Sequence, residues 1–583
     1  MKNQFSKLIV LVMVLSLFLP GRAAAQVEGT TFTILHTNDF HGNLEPAGSN
    51  PGAARVAAVI NAVRDEVGAD NVLLLDAGDE MQGSLLSNLT DGIPTIDYFN
   101  TIGYDAATFG NHEFDWGQTV LADRLEQAQY PFLAANVTME GEGGVCDDTT
   151  WTPATFTPTS GTPITVEPYT FLEVAGVTVG VIGVTTTETP FITIVEATEG
   201  LCFQDPAEAI GRVYAEVAAQ ADVIVVLSHL GVNDGGYGYG FQVIGDMTLA
   251  QQLIDAGTPV DLIIGGHSHT NFNSQPIIVG DTVIGQAHYA GRRVGRADIT
   301  VSPTGDVSIT WTDIPVSTSG PQDQDILALI ESYTNDPDYQ ELISQEVGWT
   351  QVNLVRDYNG DNMMGTFVND AIYNFFNEDL DGDPELSVDM VFNNPGGLRI
   401  DVCATEDCAP GLLDEPFLLT YGDLFSVLPF GNQTVIGEMT GAEILDLLHQ
   451  SAMLTKGAIQ VAGVRYSFVH NRLADPTPGV NMVLSAEVWD RATETWVPID
   501  PATTYIIATN EFLAPAGQDN FLAFQGIENY TYHGDMLDQV IAYSQATYTQ
   551  ENPYRGPTGD GTLDARIQRM FANFLPVLAA TPQ

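Results

Sequence analysis

Basic residues are scarce in this chain. Nineteen Lys and Arg stand against 75 Asp and Glu in 583 residues, for a formal net charge of −56. Phosphate backbones and anionic bilayers are held by Lys and Arg, so the balance argues against nucleic-acid polymers and acidic membranes as partners. Salt screens charges beyond roughly 8–10 Å, yet an anionic small substrate would still need a local positive centre to overcome the global field. Cysteine is as sparse, at four residues. None forms a CxxC pair, which argues against a thiolate zinc site. In an oxidising compartment four cysteines make two bridges by one of three pairings. Proximity favours Cys403 with Cys408, leaving Cys146 with Cys202.

Long apolar runs are missing too, except at the start. There Lys2 and Lys7 precede an apolar stretch over 8–19, and Ala23, Ala24 and Ala25 stand before Gln26. This is the layout of a secretory signal peptide. The stretch falls short of the roughly 20 residues a membrane span needs. Residues 1–25 are therefore expected to be removed, giving a secreted, periplasmic or cell-surface protein with no span in the mature chain.

Single cores stop growing at roughly 250–300 residues, so a chain of this length divides into at least two domains. Over residues 26–318, apolar segments such as NVLLLDAGD, ADVIVVLSHLG and VDLIIGGHSHT alternate with helical stretches at 53–67, 118–129 and 206–219. The alternation predicts an α/β domain whose sheets are covered by helices. Residues 319–345 change to a Ser/Thr/Pro/Gly link with a helix over 324–333, expected as a hinge. From 346 to 583 the order is less regular, with helices near 362–376 and 440–451 and strands near 390–393 and 504–509, which predicts an α+β domain.

Four strand ends in the first half carry the same chemistry: HTNDFHG with Asp39 and His41, DAGDEMQG with Asp76 and Asp79, GNHEFD with Asn111, His112 and Asp115, and SHLG with His229. A fifth, IIGGHSHT, adds His267 and His269. The chain has only ten histidines, and the five named here are half of them. Loops at the strand ends of an α/β sheet converge on one crevice. Imidazole and carboxylate in this number suit two divalent ions of the zinc, manganese or iron kind.

D-x-H, G-D, G-N-H-x-x-D, a His after a strand and G-H-x-H, in that order, resemble the calcineurin-like metallophosphoesterases. The match is closest to the secreted 5'-nucleotidase, 2',3'-cyclic-nucleotide phosphodiesterase and UDP-sugar hydrolase family. The resemblance implies a first-domain sheet sandwich flanked by helices, with Asp39, His41, Asp79 and His269 around one ion. Asp79 then bridges to a second ion held also by Asn111, His229 and His267. It further implies that His112, supported by Asp115, stabilises the transition state beside the metals. The chain departs from the pattern at His269, where the closest nucleotidases often carry Gln or Asn. Asp76 and His36 read as structural residues, and Glu113 matches no role.

In the second half, FNNPGGLRID, SVLPFGNQ and TNEFLAPAGQDNF combine Gly-rich turns with Arg and Phe, which suits a pocket where Arg forks onto phosphate and rings clamp a flat base. These segments resemble the family's C-terminal nucleotide-binding domain. The resemblance implies that Phe430 and Phe512 sandwich the base, Asn394 contacts it, Asp519 holds ribose hydroxyls, and Arg399 and Arg356 reach the phosphate. The acidic run with Asp379, Asp381, Asp383 and Glu385 lacks the order of an EF-hand and reads as a solvated loop.

The expected function is an exported two-metal hydrolase of 5'-nucleoside monophosphates, with 2',3'-cyclic nucleotides and UDP-sugars as further substrates. Two alternatives remain: a metallophosphoesterase-like hydrolase of another ester, such as a thiosulfohydrolase, and a non-catalytic nucleotide-binding surface protein. Degenerate ligands would mark the last, and none is seen.

Overall fold

The computed structural model describes residues 29–141, 145–146, 151–235, 242–378, 380–384, 386–405, 407–469 and 483–570. The expected signal peptide lies outside them, as do Asp379 and Glu385 of the acidic run.

Two six-stranded sheets build the first half. One is ordered Val307–Pro315, Arg293–Val301, Thr30–Thr37, Val72–Asp76, Ala106–Thr108, Phe132–Leu133. The other runs Ile277–Val279, Thr282–Gln286, Leu262–Gly265, Val223–His229, Val177–Thr185, Tyr169–Val174. In each, the central neighbours pair in parallel; antiparallel strands close both edges of the second sheet and one edge of the first, whose other edge strand Phe132–Leu133 pairs in parallel.

Side chains alternate across a strand, so each strand of the first sheet feeds two cores. Ile34, Leu73 and Leu75 face Val179, Val225 and Leu262 of the second sheet. Leu35 and Leu74, one position on, pack with Val56 and Ile60 of the helix Ala53–Val67 and with Ile96 and Phe99 of the helix Ile93–Ile102. The helices Pro206–Ala218 and Asp246–Ala256 pack on the second sheet. The result is a sheet sandwich flanked by helices.

The linking helix forms as Gln324–Thr334 but packs into the first half. Ile326 and Ile330 are buried in its core, and Asp323 caps the helix by accepting from the amides of Asp325 and Ile326 (both 3.1 Å) while also accepting from Asn61 (2.9 Å). Its apolar face has a groove to fill, so this helix is not a free connector. Residues 335–345, including the short helix Pro337–Ile343 with no buried residue, make the crossing.

The second half centres on a five-stranded sheet ordered Gln460–Ala462, Met390–Asn393, Thr504–Asn510, Gln433–Thr440, Glu528–Asp535. Val391, Ile436 and Ala508 pack under the helices Met363–Asn377 and Met536–Thr547. Met390, Val435 and Ile507 face the opposite helix Gly441–Ala452, which begins with a capping box of Thr440 and Glu443. A separate four-stranded sheet, Thr495–Pro498, Val483–Asp490, Val464–Val469, Ile567–Met570, completes the α+β half.

Both disulfides form, Cys146 with Cys202 and Cys403 with Cys408. Among the described residues, no helix is long and apolar enough to cross a membrane.

Candidate functional site

Every candidate metal ligand lies at the carboxyl end of a parallel strand or in the loop just beyond it. Asp39 and His41 follow Thr30–Thr37, Asp79 follows Val72–Asp76, Asn111 follows Ala106–Thr108, His229 ends Val223–His229, and His267 and His269 follow Leu262–Gly265. The loops are pinned to one another: the amides of Asp39, His41 and Gly42 donate to the carbonyls of Gly78, Asp79 and Glu80 at 2.8–2.9 Å. Asp39, His41, Asp79, His267 and His269 all have φ between 49° and 69°, a region L-residues seldom occupy without a reason. Gly110 is needed for contact, since a Cβ there would lie 2.1 Å from Asp79 Oδ1.

These side chains form two clusters, Asp39 with His41 and His269, and Asp79 with His229 and His267; within each, the ligand atoms lie within 4.8 Å of one another. His41 Nε2 is 3.1 Å from His269 Nε2, and His229 Nε2 is 3.0 Å from Asp79 Oδ2. Asn111 Oδ1 lies 3.0 Å from His267 Nδ1, which joins it to the second cluster. Carbonyls only accept, so His41 Nδ1 donates to Gln82 O (2.8 Å) and His229 Nδ1 donates to Ala77 O (2.6 Å). Each Nε2 is thereby the nitrogen turned toward the cluster, where it would offer its lone pair to a metal.

The electrostatics agree with cation binding. Burial lowers His41 to about 3 and His267 to about 4, keeping both imidazoles neutral. His229 is also buried, but Asp79 and Asp39 outweigh that and raise it to about 10. The same demand for positive charge is what a divalent cation would meet. His229 Nε2 is buried and faces Asp79 Oδ2 at 3.0 Å. On donor type, tautomer and charge, the residues fit two divalent ions.

His112 stands beside the clusters. Its ring is 5.3 Å from that of His41, its Nδ1 is 2.5 Å from Asp115 Oδ2, and its amide donates to Asp79 Oδ1 (2.9 Å). Burial opposes its charge, yet Asp115 and Asp79 raise its pKa above the ordinary value. Glu113 is fully interior: it accepts from the amides of Asp79 (2.8 Å), Glu80 (2.8 Å) and Gly110 (2.7 Å), tying two ligand loops together. Asp76 accepts from Thr37 and from the Gly78 amide, and His36 accepts from Trp311 Nε1 (2.9 Å).

The clusters open onto a cavity of about 220 Å³ whose far wall belongs to the second half. Asn394, Arg399, Phe430, Phe512 and Asp519 line it. Arg399 lies over the Phe430 ring at 5.4 Å, Phe430 faces His112 at 6.3 Å, and Asn394 donates to Asp519 Oδ2 (2.8 Å). Arg356 stands apart: it is paired with Asp401 (2.8 Å), bonds Leu398 O and is not among the lining residues. Lys456 and Tyr358 do line the cavity, although neither belongs to a motif legible in the sequence. Lys456 Nζ is 2.8 Å from Glu188 Oε1, across the boundary between the halves.

A two-sheet α/β domain with paired His/Asp clusters at its strand ends is the architecture of a calcineurin-like phosphoesterase domain. The family model described as calcineurin-like phosphoesterase matches residues 32–271, and that described as 5'-nucleotidase, C-terminal domain, matches 344–526. The chain thus carries a calcineurin-like phosphoesterase domain followed by a 5'-nucleotidase C-terminal domain.

Among its relatives is the trifunctional nucleotide phosphoesterase protein YfkN of Bacillus subtilis, 28% identical over 569 residues, covering 92% of this chain and 35% of that one. The cell wall protein Lmo0130 of Listeria monocytogenes is 30% identical over 560 residues, covering 86% of this chain and 65% of that one. The chain thus spans about a third and under two thirds of these relatives' lengths. Among solved structures, a 5'-nucleotidase precursor from Thermus thermophilus superposes with a TM-score of 0.70 at 26% identity, over 93% of this chain and 99% of that one.

Proposed function

We propose that this protein is an exported two-metal nucleotidase that hydrolyses 5'-nucleoside monophosphates to nucleoside and phosphate. It would accept 2',3'-cyclic nucleotides and UDP-sugars as secondary substrates. The observation that carries the reading is one cavity with the His/Asp clusters on one wall and Phe430, Phe512, Arg399 and Asp519 on the other. Export is supported by the N-terminal sequence pattern and by a relative named as a cell wall protein.

Asp39, His41, Asp79, Asn111, His229, His267 and His269 would hold two ions, zinc or manganese by ligand type. Bound there, such ions supply Lewis acidity toward a phosphoryl oxygen and make water a stronger nucleophile near neutral pH. They also provide the local positive centre that a net charge of −56 otherwise denies an anionic substrate. Phe430 and Phe512 stack the base, Asp519 held by Asn394 takes the ribose hydroxyls, and Arg399 forks onto the phosphate. His112, its Nδ1 bonded to Asp115, directs Nε2 at the reacting group, where it stabilises developing charge and supplies a proton to the leaving oxygen. Arg356 is held by Asp401, so the phosphate role falls to Arg399.

A small inorganic leaving group gives two aromatic rings nothing to stack on, which disfavours a thiosulfohydrolase. The decisive experiment is incubation of the purified protein and manganese or zinc with AMP, 2',3'-cyclic AMP and UDP-glucose. Phosphate release from AMP is expected. Failure on all three would end the proposal.

A further inference from the structure

One short turn touches both the second half of the molecule and the reacting groups of the first. It runs over residues 188–193 and contains the helical turn Thr189–Phe191. At its start, Glu188 Oε1 pairs with Lys456 Nζ at 2.8 Å, while Glu188 Oε2 lies 4.0 Å from His267 Nε2. His267 turns its other nitrogen to Asn111, so Glu188 faces the outer edge of that ring. At its end, Gln518 Nε2 donates to Pro190 O (2.9 Å) and Thr193 O (2.7 Å), and Thr193 Oγ1 donates to Asp115 Oδ1 (3.0 Å). Glu188, Thr193 and Gln518 are all buried. Gln518 also precedes Asp519, whose φ of 54° is a strained value that its neighbours must hold.

A carboxylate behind a ligand histidine raises its basicity, and hydrogen-bonded partners of this kind are commonly worth 10–100-fold in metal affinity or activity; at 4.0 Å Glu188 acts on His267 through its charge. A hydroxyl on Asp115 fixes the carboxylate that in turn fixes His112. Both supports sit on the turn that Lys456 and Gln518 grip.

We propose that Lys456 and Gln518 are positioning residues, through which the second domain sets the geometry of His267 and of the His112–Asp115 pair by clamping the 188–193 turn. The proposal rests on the nucleotidase reading for its choice of substrate. The second domain is then part of the reacting centre, beyond its role as a base holder.

Because Lys456 also lines the cavity, a plain substrate contact must be told apart from positioning. The test uses Lys456→Met, Lys456→Arg and Gln518→Ala in the full chain, with AMP and with p-nitrophenyl phosphate, which has neither ribose nor base. Positioning predicts that Lys456→Met and Gln518→Ala each lose kcat by roughly 10–100-fold on both substrates, with the KM for AMP little changed. Lys456→Arg should recover most of the loss. Manganese titration of the chelator-stripped chain should show one of two binding events weakened in Lys456→Met and neither in Gln518→Ala. A rise confined to the KM for AMP, with kcat and both metal isotherms unchanged, would overturn the proposal. If Lys456→Met does not fold, Gln518→Ala decides alone through its kcat on the two substrates. A wild-type chain inert on AMP would count against the nucleotidase reading, while the manganese titration would still decide this one.

Discussion

His36 offers a quantitative check on the first domain, because it lies on the strand that delivers Asp39 and His41. The ring is completely buried, accepts a hydrogen bond from Trp311 Nε1 at 2.9 Å, and presses on Gly295 so closely that a Cβ there would sit 1.9 Å from its Nε2. Burial lowers its pKa to about 3 from 6.5. Below 6.5 the unfolded chain binds a proton that the folded chain refuses. The stability from keeping His36 neutral is therefore complete above pH 6.5 and is lost progressively as pH falls toward 3. At pH 5, roughly one and a half pH units below the unfolded value, the loss is about 2 kcal/mol. His36→Gln keeps an acceptor for Trp311 and removes the titration. Thermal unfolding of both proteins from pH 7.5 to pH 4.5, read as the difference between them, isolates His36 from the carboxylates they share. The variant should be the weaker at pH 7.5 and should close the gap by about 2 kcal/mol at pH 5. Parallel curves would show that His36 does not titrate as a buried neutral base.

Phe430→Ala should cost AMP about 1–3 kcal/mol of stacking, seen as roughly a 5- to 150-fold fall in kcat/KM, and should leave ribose 5-phosphate nearly unaffected; equal losses on both would remove the stacking role. His112→Ala should retain both metals on elemental analysis while kcat drops by at least about 100-fold, and loss of a metal instead would make His112 a ligand. Gly110→Ala drives a methyl group into Asp79, so metal content should fall even though the protein folds. Glu113 accepts through both oxygens, so Glu113→Gln keeps one acceptor and turns the other into an NH2 facing an amide donor; about 1–3 kcal/mol of stability should be lost, and an unchanged melting temperature would contradict that placement.

The first domain is readable because central strands such as Val72–Asp76 and Val223–His229 are buried on both sides and end in a short polar motif. Pattern and chemistry mark the same positions there, as at VLLLD before Asp79 and VIVVLSH ending in His229. The helices at 53–67 and 440–451 are visible for a similar reason, an apolar stripe with a clear start. By contrast, Glu528–Asp535 is exposed along nearly its whole length, so it carries no alternation to read. Lys456, Gln518 and Glu188 act across a boundary between segments more than 250 residues apart, and no local pattern encodes such a meeting. Glu113 has no role legible in the sequence because its partners are backbone amides, which leave no signature there. The helix Gln324–Thr334 can be located along the chain from its pattern, yet only packing shows which half it joins.

Five of the proposed ligands hold left-handed backbone angles, each costing an L-residue on the order of 1–2 kcal/mol. Glycine would relieve that cost at each place. A lineage released from the need for turnover would therefore be pulled by folding alone toward Gly or Asn at 39, 41, 79, 267 and 269, and the metal site would decay fastest where it is most exacting. This chain carries Asp or His at all five positions and Gly at none of them.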